Sequence, residues 1–553
     1  MPVGGNAEGR SELSAADIVE ALLYVHSADL SPDGSRCAWV RAQTVNGIEI
    51  LDLVVCDLAT GTETRIGPGR DPQWSPEGER LAFLTADGVG CTQMFTCDVG
   101  SQRSIQATSL TQGVTGGLAW SPDGRTLAFT AAPAPRDRTL PYRVTRTVPW
   151  RDGVGFLDDE ATDVWVHDLA KNESRRLTHD GCLNRSPTWL PATGEVAFLA
   201  GADPEDWEDV TTVRAVSMTG VVRDIVTARD IVALAAVPPE VGQLALATSG
   251  LFSSTPGELL VVRDDGSLES RSSGLGLDIT GDVLGDLPVP FADLDGRILV
   301  VDGEAIVRVQ DQDRLSIHRI ALRGSPSSDE VASSQGCLYP LAISGDALLL
   351  GKGDLLAPPD LAVRSLATGD ETTVSHTRAA NVAVLGPISV ERFWARAADG
   401  PPVQCKLLRP ALAAGLLPTV LLIHGGPYTA FGEVFVADAA MLCEAGYAVL
   451  LVNPRGSRGY GEEFSAAIQG DWGNLDYLDL MAAVDHVVEA GWADPDRLGV
   501  GGLSYGGYMT AWIVGHTPRF KAAVFENGVT NFWSLYGTSD VGLSFVPEML
   551  RGT

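Results

Sequence analysis

Along the first 385 residues, apolar and polar positions alternate in short runs broken by turn residues. That pattern predicts half-buried strands rather than helices. One unit recurs. It reads Leu30-Ser31-Pro32-Asp33-Gly34 followed by Cys37-Ala38-Trp39-Val40, and returns as Trp74-Ser75-Pro76-Glu77-Gly78 with Leu81-Ala82-Phe83-Leu84. A third copy is Trp120-Ser121-Pro122-Asp123-Gly124 with Leu127-Ala128-Phe129-Thr130. A degraded copy, Trp189-Leu190-Pro191, precedes Glu195-Val196-Ala197-Phe198. Fainter echoes stand at Val237-Pro238-Pro239, Asp295-Gly296-Arg297 and Ser344-Gly345-Asp346. In each full copy Pro presets φ, Asp or Glu can hold the turn, and Gly accepts positive φ. Ser31 to Ser75 is 44 residues and Ser75 to Ser121 is 46. A period in the forties with several strands per unit predicts a propeller of about seven blades over residues 26–385.

The spacing lengthens to 69 residues between Ser121 and Leu190. The excess, 131–161, carries Arg136, Arg138, Arg143, Arg146 and Arg151 together with Tyr142, Trp150 and Phe156. It reads as an exposed arginine-rich loop, or as a loop entering the channel toward a peptide carboxylate or carbonyl.

Past Leu385-Gly386-Pro387 the period changes. Strand-length apolar runs at Thr419–Ile423, Tyr447–Val452, Arg497–Val500 and Lys521–Phe525 alternate with helical stretches at Ala439–Ala445, Leu475–Ala490 and Tyr508–Val514. Such alternation predicts an α/β domain with a mostly parallel sheet over 386–553. On the helix from Leu475, the expected apolar stripe is Leu475, Leu478, Ala482, Val484 and Val488.

Composition narrows the function. Lys and Arg number 40 against 71 Asp and Glu, a net charge of −31, which repels phosphate backbones and anionic membranes. Nucleic acid and membrane are therefore not expected partners. Met1–Arg10 has no apolar signal core, and the eight Cys match no zinc spacing, so a cytoplasmic chain with free thiols is expected. No metal or other cofactor site is expected.

The chemistry centres on Gly502-Leu503-Ser504-Tyr505-Gly506. Alone this motif is common. Here Leu498-Gly499-Val500 predicts a strand before it and Gly507–Val514 a helix after it, the strand–turn–helix setting that exposes a nucleophilic Ser504. His424-Gly425-Gly426-Pro427 follows another strand, and its glycines can present backbone N–H groups. The Gly426 and Tyr505 amides are the expected oxyanion hole. His424 itself is expected to orient the loop rather than act as base.

These residues resemble the prolyl oligopeptidase family, nearest its acylaminoacyl-peptidase and dipeptidyl-aminopeptidase branch. The resemblance rests on the two motifs above, on Asn453-Pro454-Arg455-Gly456-Ser457, Gly459-Tyr460-Gly461 and Gly470-Asp471-Trp472-Gly473, and on Phe520-Lys521-Ala522-Ala523 and Gly537-Thr538-Ser539-Asp540. It implies a serine peptidase acting on short peptides, with the propeller excluding folded proteins. It also implies a helical segment within 1–25 (Ser14–Tyr24) packed on the hydrolase domain. In that family an Asp and then a His follow the serine. Here the one later His is His516, about 18 Å along the elbow helix at ~1.5 Å per residue. Asp540 resembles a structural stretch of the family. The chain is therefore expected to be truncated, with an incomplete hydrolase sheet, an uncovered edge and no catalytic base of its own. Two alternatives stay open: an esterase on the same scaffold, or an inactive propeller that binds partners. Specificity is open too. Glu205, Asp206 and Glu208 form either a solvated turn or an anchor for a free N-terminus, and a homo-oligomer is possible in principle.

Overall fold

The computed structural model describes residues 14–133, 150–151, 155–156, 161–201, 210–248, 254–281, 283–285 and 297–550. Arg136, Arg138, Tyr142, Arg143 and Arg146 lie outside the described residues, as do Glu205, Asp206, Glu208 and the Asp295-Gly296 echo. Five antiparallel four-stranded sheets follow one another, the first running from Leu23–Leu30 to Glu63–Pro68 and the fifth from Ile231–Ala236 to Leu268–Ser270. A nine-stranded sheet comes next, its two parts joined by a single parallel pairing of Leu315 with Cys337. This is a β-propeller, with an α/β domain behind it.

The repeated turns do what their residues dictate. The Gly34, Gly78 and Gly124 amides donate to the carbonyls of Ser31, Ser75 and Ser121 at 2.8, 2.8 and 2.9 Å. Each glycine has φ between 66° and 75°, a region costly for other residues. The serine hydroxyls then accept from the amides of Arg36, Arg80 and Thr126, which closes the turn onto the next strand. The same turns join neighbouring sheets. Arg36 stacks over Trp74 at 4.7 Å and donates to the Gly78 carbonyl. Arg80 repeats the arrangement with Trp120 at 5.1 Å and the Gly124 carbonyl. The first sheet also shares a buried cluster with the last, in which Val25, Leu30 and Trp39 meet Tyr339, Leu349 and Leu361.

The α/β sheet has the order Ile388–Arg396, Pro402–Pro410, Ala448–Asn453, Leu417–Ile423, Ala493–Leu503, Phe520–Glu526. The last three pairings are parallel. The first two strands are antiparallel, and no parallel-strand signal announces them because polar residues such as Glu391, Arg392, Gln404 and Lys406 interrupt their apolar runs. Phe520–Glu526 pairs on one side among the described residues, and Val524 and Phe525 are 65% and 45% exposed.

Two expectations need correction. The N-terminal helix is Ala15–Ala21, capped reciprocally by Ser14 and Asp17, and a strand already begins at Leu23, so residues 23–25 belong to the first sheet. Ile18 and Leu22 pack against Phe435, Ala437 and Ala440 of the α/β domain. The helix Leu475–Glu489 is also rotated from its predicted stripe. Its buried positions include Asp476, Asp479, Leu480, Ala483, Val484 and Val487, while Leu478 is 47% exposed. Two aspartates face inward because the protein supplies them with donors, described below.

The two domains meet through buried polar contacts. Arg458 holds Asp278 of the propeller by two hydrogen bonds of 2.8 and 2.6 Å. Lys406 pairs with Asp313 at 2.7 Å, both 2% exposed. The Leu284 amide donates to the Ala430 carbonyl, and that of Gln312 to the Gly459 carbonyl. Among the described residues no helix is long and apolar enough to cross a membrane.

Candidate active site

The strand Ala493–Leu503 runs through the middle of the parallel sheet and ends at Ser504, where the helix Tyr505–His516 begins. Ser504 has φ 60° and ψ −116°. A non-glycine residue there costs about 1–3 kcal/mol and persists only where its surroundings over-determine it. The flanking glycines show why the turn fits. A Cβ on Gly502 would lie 2.5 Å from the Ile423 carbonyl oxygen, one on Gly506 2.1 Å from the same atom, and one on Gly507 2.6 Å from the Glu526 carbonyl oxygen. The helix is thus pressed directly onto the strand ends. The Ser504 amide donates to the Glu526 carbonyl at 2.9 Å. Its side chain is half-buried and makes no hydrogen bond among the described residues.

The loop after strand Leu417–Ile423 comes alongside. A Cβ on Gly425 would stand 3.7 Å from the Ser504 Cβ. Gly426 has φ 116°, and a Cβ there would meet the Tyr428 amide at 2.8 Å. The structure therefore brings the Gly425-Gly426 turn beside Ser504, and Tyr505 opens the elbow helix, whose first N–H groups have no partner within the helix. The positive end of that helix favours negative charge at this spot.

His424 does not face Ser504 as a free base. Its Nδ1 lies 2.8 Å from the Gly425 carbonyl and its Nε2 3.0 Å from Ser457 Oγ. Burial lowers its pKa to about 4 from the ordinary 6.5. Protons therefore bind the unfolded chain first, and the stability His424 contributes above pH 6.5 is lost as pH falls through about 4. At 1.36 kcal/mol per unit this is roughly 3 kcal/mol. Denaturant midpoints measured between pH 7 and 4 are expected to fall less steeply in His424→Gln than in the parent chain.

His516 is at the far end of the elbow helix, stacked on Trp512 at 4.2 Å with Nδ1 2.7 Å from the Trp512 carbonyl. Asp540 lies between the helices Phe532–Thr538 and Gly542–Met549 and accepts from the Ser539 hydroxyl. Among the described residues no cluster of three His, Cys, Asp or Glu could hold a metal ion.

Sequence reasoning missed two supporting carboxylates. Asp479, fully buried, takes the Arg455 guanidinium at 2.8 and 2.7 Å and the Arg455 amide at 3.0 Å. Asp476, also fully buried, accepts the Tyr505 hydroxyl at 2.6 Å. The available signal was the i, i+3 spacing of two Asp on a helix with an otherwise apolar face, but their side-chain donors, Arg455 and Tyr505, are 24 and 29 residues away.

Residues 433–550 match the prolyl oligopeptidase family, peptidase S9. An uncharacterized peptidase of Bacillus subtilis, YuxL, is 28% identical over 577 residues, covering 98% of this chain and 86% of its own. The acylamino-acid-releasing enzyme of Sus scrofa is 30% identical over 283 residues, 48% of this chain and 37% of the pig protein. In fold, the chain is similar to the acylaminoacyl peptidase of Pyrococcus horikoshii, with a TM-score of 0.80 at 19% identity over 96% of this chain and 82% of that one. The strand–turn–helix at Ser504 lies within the segment 433–550, and it is this segment that places the chain with the prolyl oligopeptidase family of peptidases, which are hydrolases.

Proposed function

We propose that the chain is built to cleave short peptides through an acyl-enzyme on Ser504. The Ser504 hydroxyl attacks the scissile carbonyl, and the Gly426 and Tyr505 amides receive the oxyanion. The observation that carries this is the strained Ser504 turn with the Gly425-Gly426 loop against it. We read the nine-stranded sheet as two further blades, giving seven, and the propeller as a gate that admits short peptides and excludes folded proteins. The free, buried thiols of Cys37, Cys56, Cys97, Cys405 and Cys443 fit a reducing compartment such as the cytoplasm. Names among the relatives, an acylamino-acid-releasing enzyme and a dipeptidyl-peptidase, favour peptide amides as substrates over simple esters.

No imidazole or carboxylate is hydrogen-bonded to Ser504 among the described residues, so the 553-residue chain should turn over at the residual level that an oxyanion hole and binding alone provide, about 10³–10⁴-fold above water. That same observation supports a second reading, a propeller that binds partners without catalysis. A fluorophosphonate probe separates them. One label per chain is expected on Ser504, with labelling at least about 10³-fold slower in Ser504→Ala. Equal labelling of the two proteins overturns the proposal. In the unlabelled chain, an aminoacyl amide should be turned over in preference to an acetyl ester; the reverse preference would indicate an esterase.

A further inference from the structure

Ser504 is held in a conformation it would not adopt freely, so something must fix the residues around it. The first turn of the helix Leu475–Glu489 and the segment just before it are packed against the elbow helix at several points. The Asp476 carboxylate accepts the Tyr505 hydroxyl at 2.6 Å, and also the amides of Gly473, at 2.9 and 3.1 Å, and Tyr477, at 2.9 Å. Asp476 is fully buried, Tyr505 is 1% exposed, and none of the carboxylate's hydrogen-bond donors is a cation. The Trp472 ring stands edge-on to Tyr505 at 4.9 Å, and its carbonyl accepts the Tyr508 hydroxyl at 3.1 Å. A Cβ on Gly473 would lie 2.5 Å from the Trp512 ring, so the segment touches the helix directly.

A buried carboxylate without a counter-charge is costly unless every neighbour donates to it. Two of its donors are backbone amides at the start of its own helix, a capping duty that any well-placed acceptor could perform. The third is the side chain of the residue whose own amide adjoins Ser504. We propose that Asp476 is a positioning residue for the nucleophile turn: through the Tyr505 hydroxyl it fixes the first residue of the elbow helix, and with it the direction of the Tyr505 amide and the Ser504 side chain. The hydrogen bond is buried and charge-assisted, the kind that holds geometry most firmly. This rests on the reading of Ser504 as nucleophile.

The test is the rate of fluorophosphonate labelling, resolved into kinact and KI, for the parent chain, Tyr505→Phe, Asp476→Ala and the double variant. Tyr505→Phe keeps the ring and leaves the Asp476 cap intact. Its kinact is expected to drop about tenfold with KI within twofold and the labelling end-point unchanged. A merely structural role would lower the end-point, through loss of folded protein, and leave kinact alone. The double variant should be no slower than the slower single one, because both cut the same link. Parent-like kinact in Tyr505→Phe, or rate losses that multiply in the double variant, overturns the positioning role while Ser504 stands as nucleophile. If Asp476→Ala does not fold, Asp476→Asn replaces it. Its Oδ1 still accepts the two amides, and its NH₂ group can only donate to Tyr505, so a kinact between those of the parent and Tyr505→Phe is expected and a parent-like value contradicts the role. A parent chain that takes no label on Ser504 removes the nucleophile assignment and the positioning role together.

Discussion

Gly506→Ala is expected to unfold the α/β domain under conditions where the parent chain is stable. The added methyl would start 2.1 Å from the Ile423 carbonyl oxygen and 3.1 Å from that of His424. Both are backbone atoms of the central sheet and its exit loop, so no side chain can swing aside. Relief requires the elbow helix to lift from the strands, which would also break its packing through Met509 and Ile513. A cost of roughly 3–5 kcal/mol is expected, in the range where single changes become diagnostic. The comparison is Gly515→Ala near the other end of the same helix, where a Cβ meets nothing within 4 Å. There the change should be neutral or stabilising by up to about 1 kcal/mol. Urea midpoints for the two variants should move apart, and a Gly506→Ala midpoint equal to the parent's would contradict the packing described here.

The second large effect is at the domain boundary. Asp278→Ala leaves the Arg458 guanidinium, 5% exposed, without its carboxylate. Breaking a buried pair from one side costs about 3–5 kcal/mol, because the remaining charge stays out of water. The Gly257 amide, which donates to Asp278 at 3.0 Å, is also stripped of its acceptor. Replacing both residues with apolar ones of similar volume, Asp278→Leu with Arg458→Met, should recover most of the loss. Chemical denaturation of the three forms measures this, and limited proteolysis should show the single variant opening between the domains first. If the double variant were as unstable as the single one, the penalty would lie in lost packing rather than in the orphaned charge.

What the sequence disclosed, and what it hid, follows from how far apart the interacting residues lie. The Ser-Pro-Asp-Gly turns are local: Ser31 holds Arg36 five residues on, so the chemistry is written in one stretch. The same is true of Gly502, Gly506 and Gly507, whose spacing around Ser504 reports the contact between strand and helix. The start at Val237-Pro238-Pro239 is faint because it lacks the Ser and Asp side chains and closes through the Val241 amide on the Pro238 carbonyl instead. The face of helix Leu475–Glu489 was misjudged because periodicity treats aspartate as solvated. Its donors, Arg455 and Tyr505, become neighbours only when the sheet forms. Arg458 and Asp278 are 180 residues apart, and nothing in either neighbourhood marks them as partners.

The most direct measurement is a crystal structure of the chain after reaction with a fluorophosphonate. A phosphorus–oxygen bond at Ser504 Oγ is expected, with the phosphonyl oxygen about 2.7–3.1 Å from both the Gly426 and Tyr505 amides. An adduct on another residue, or a phosphonyl oxygen turned to solvent away from those two amides, would contradict the assignment.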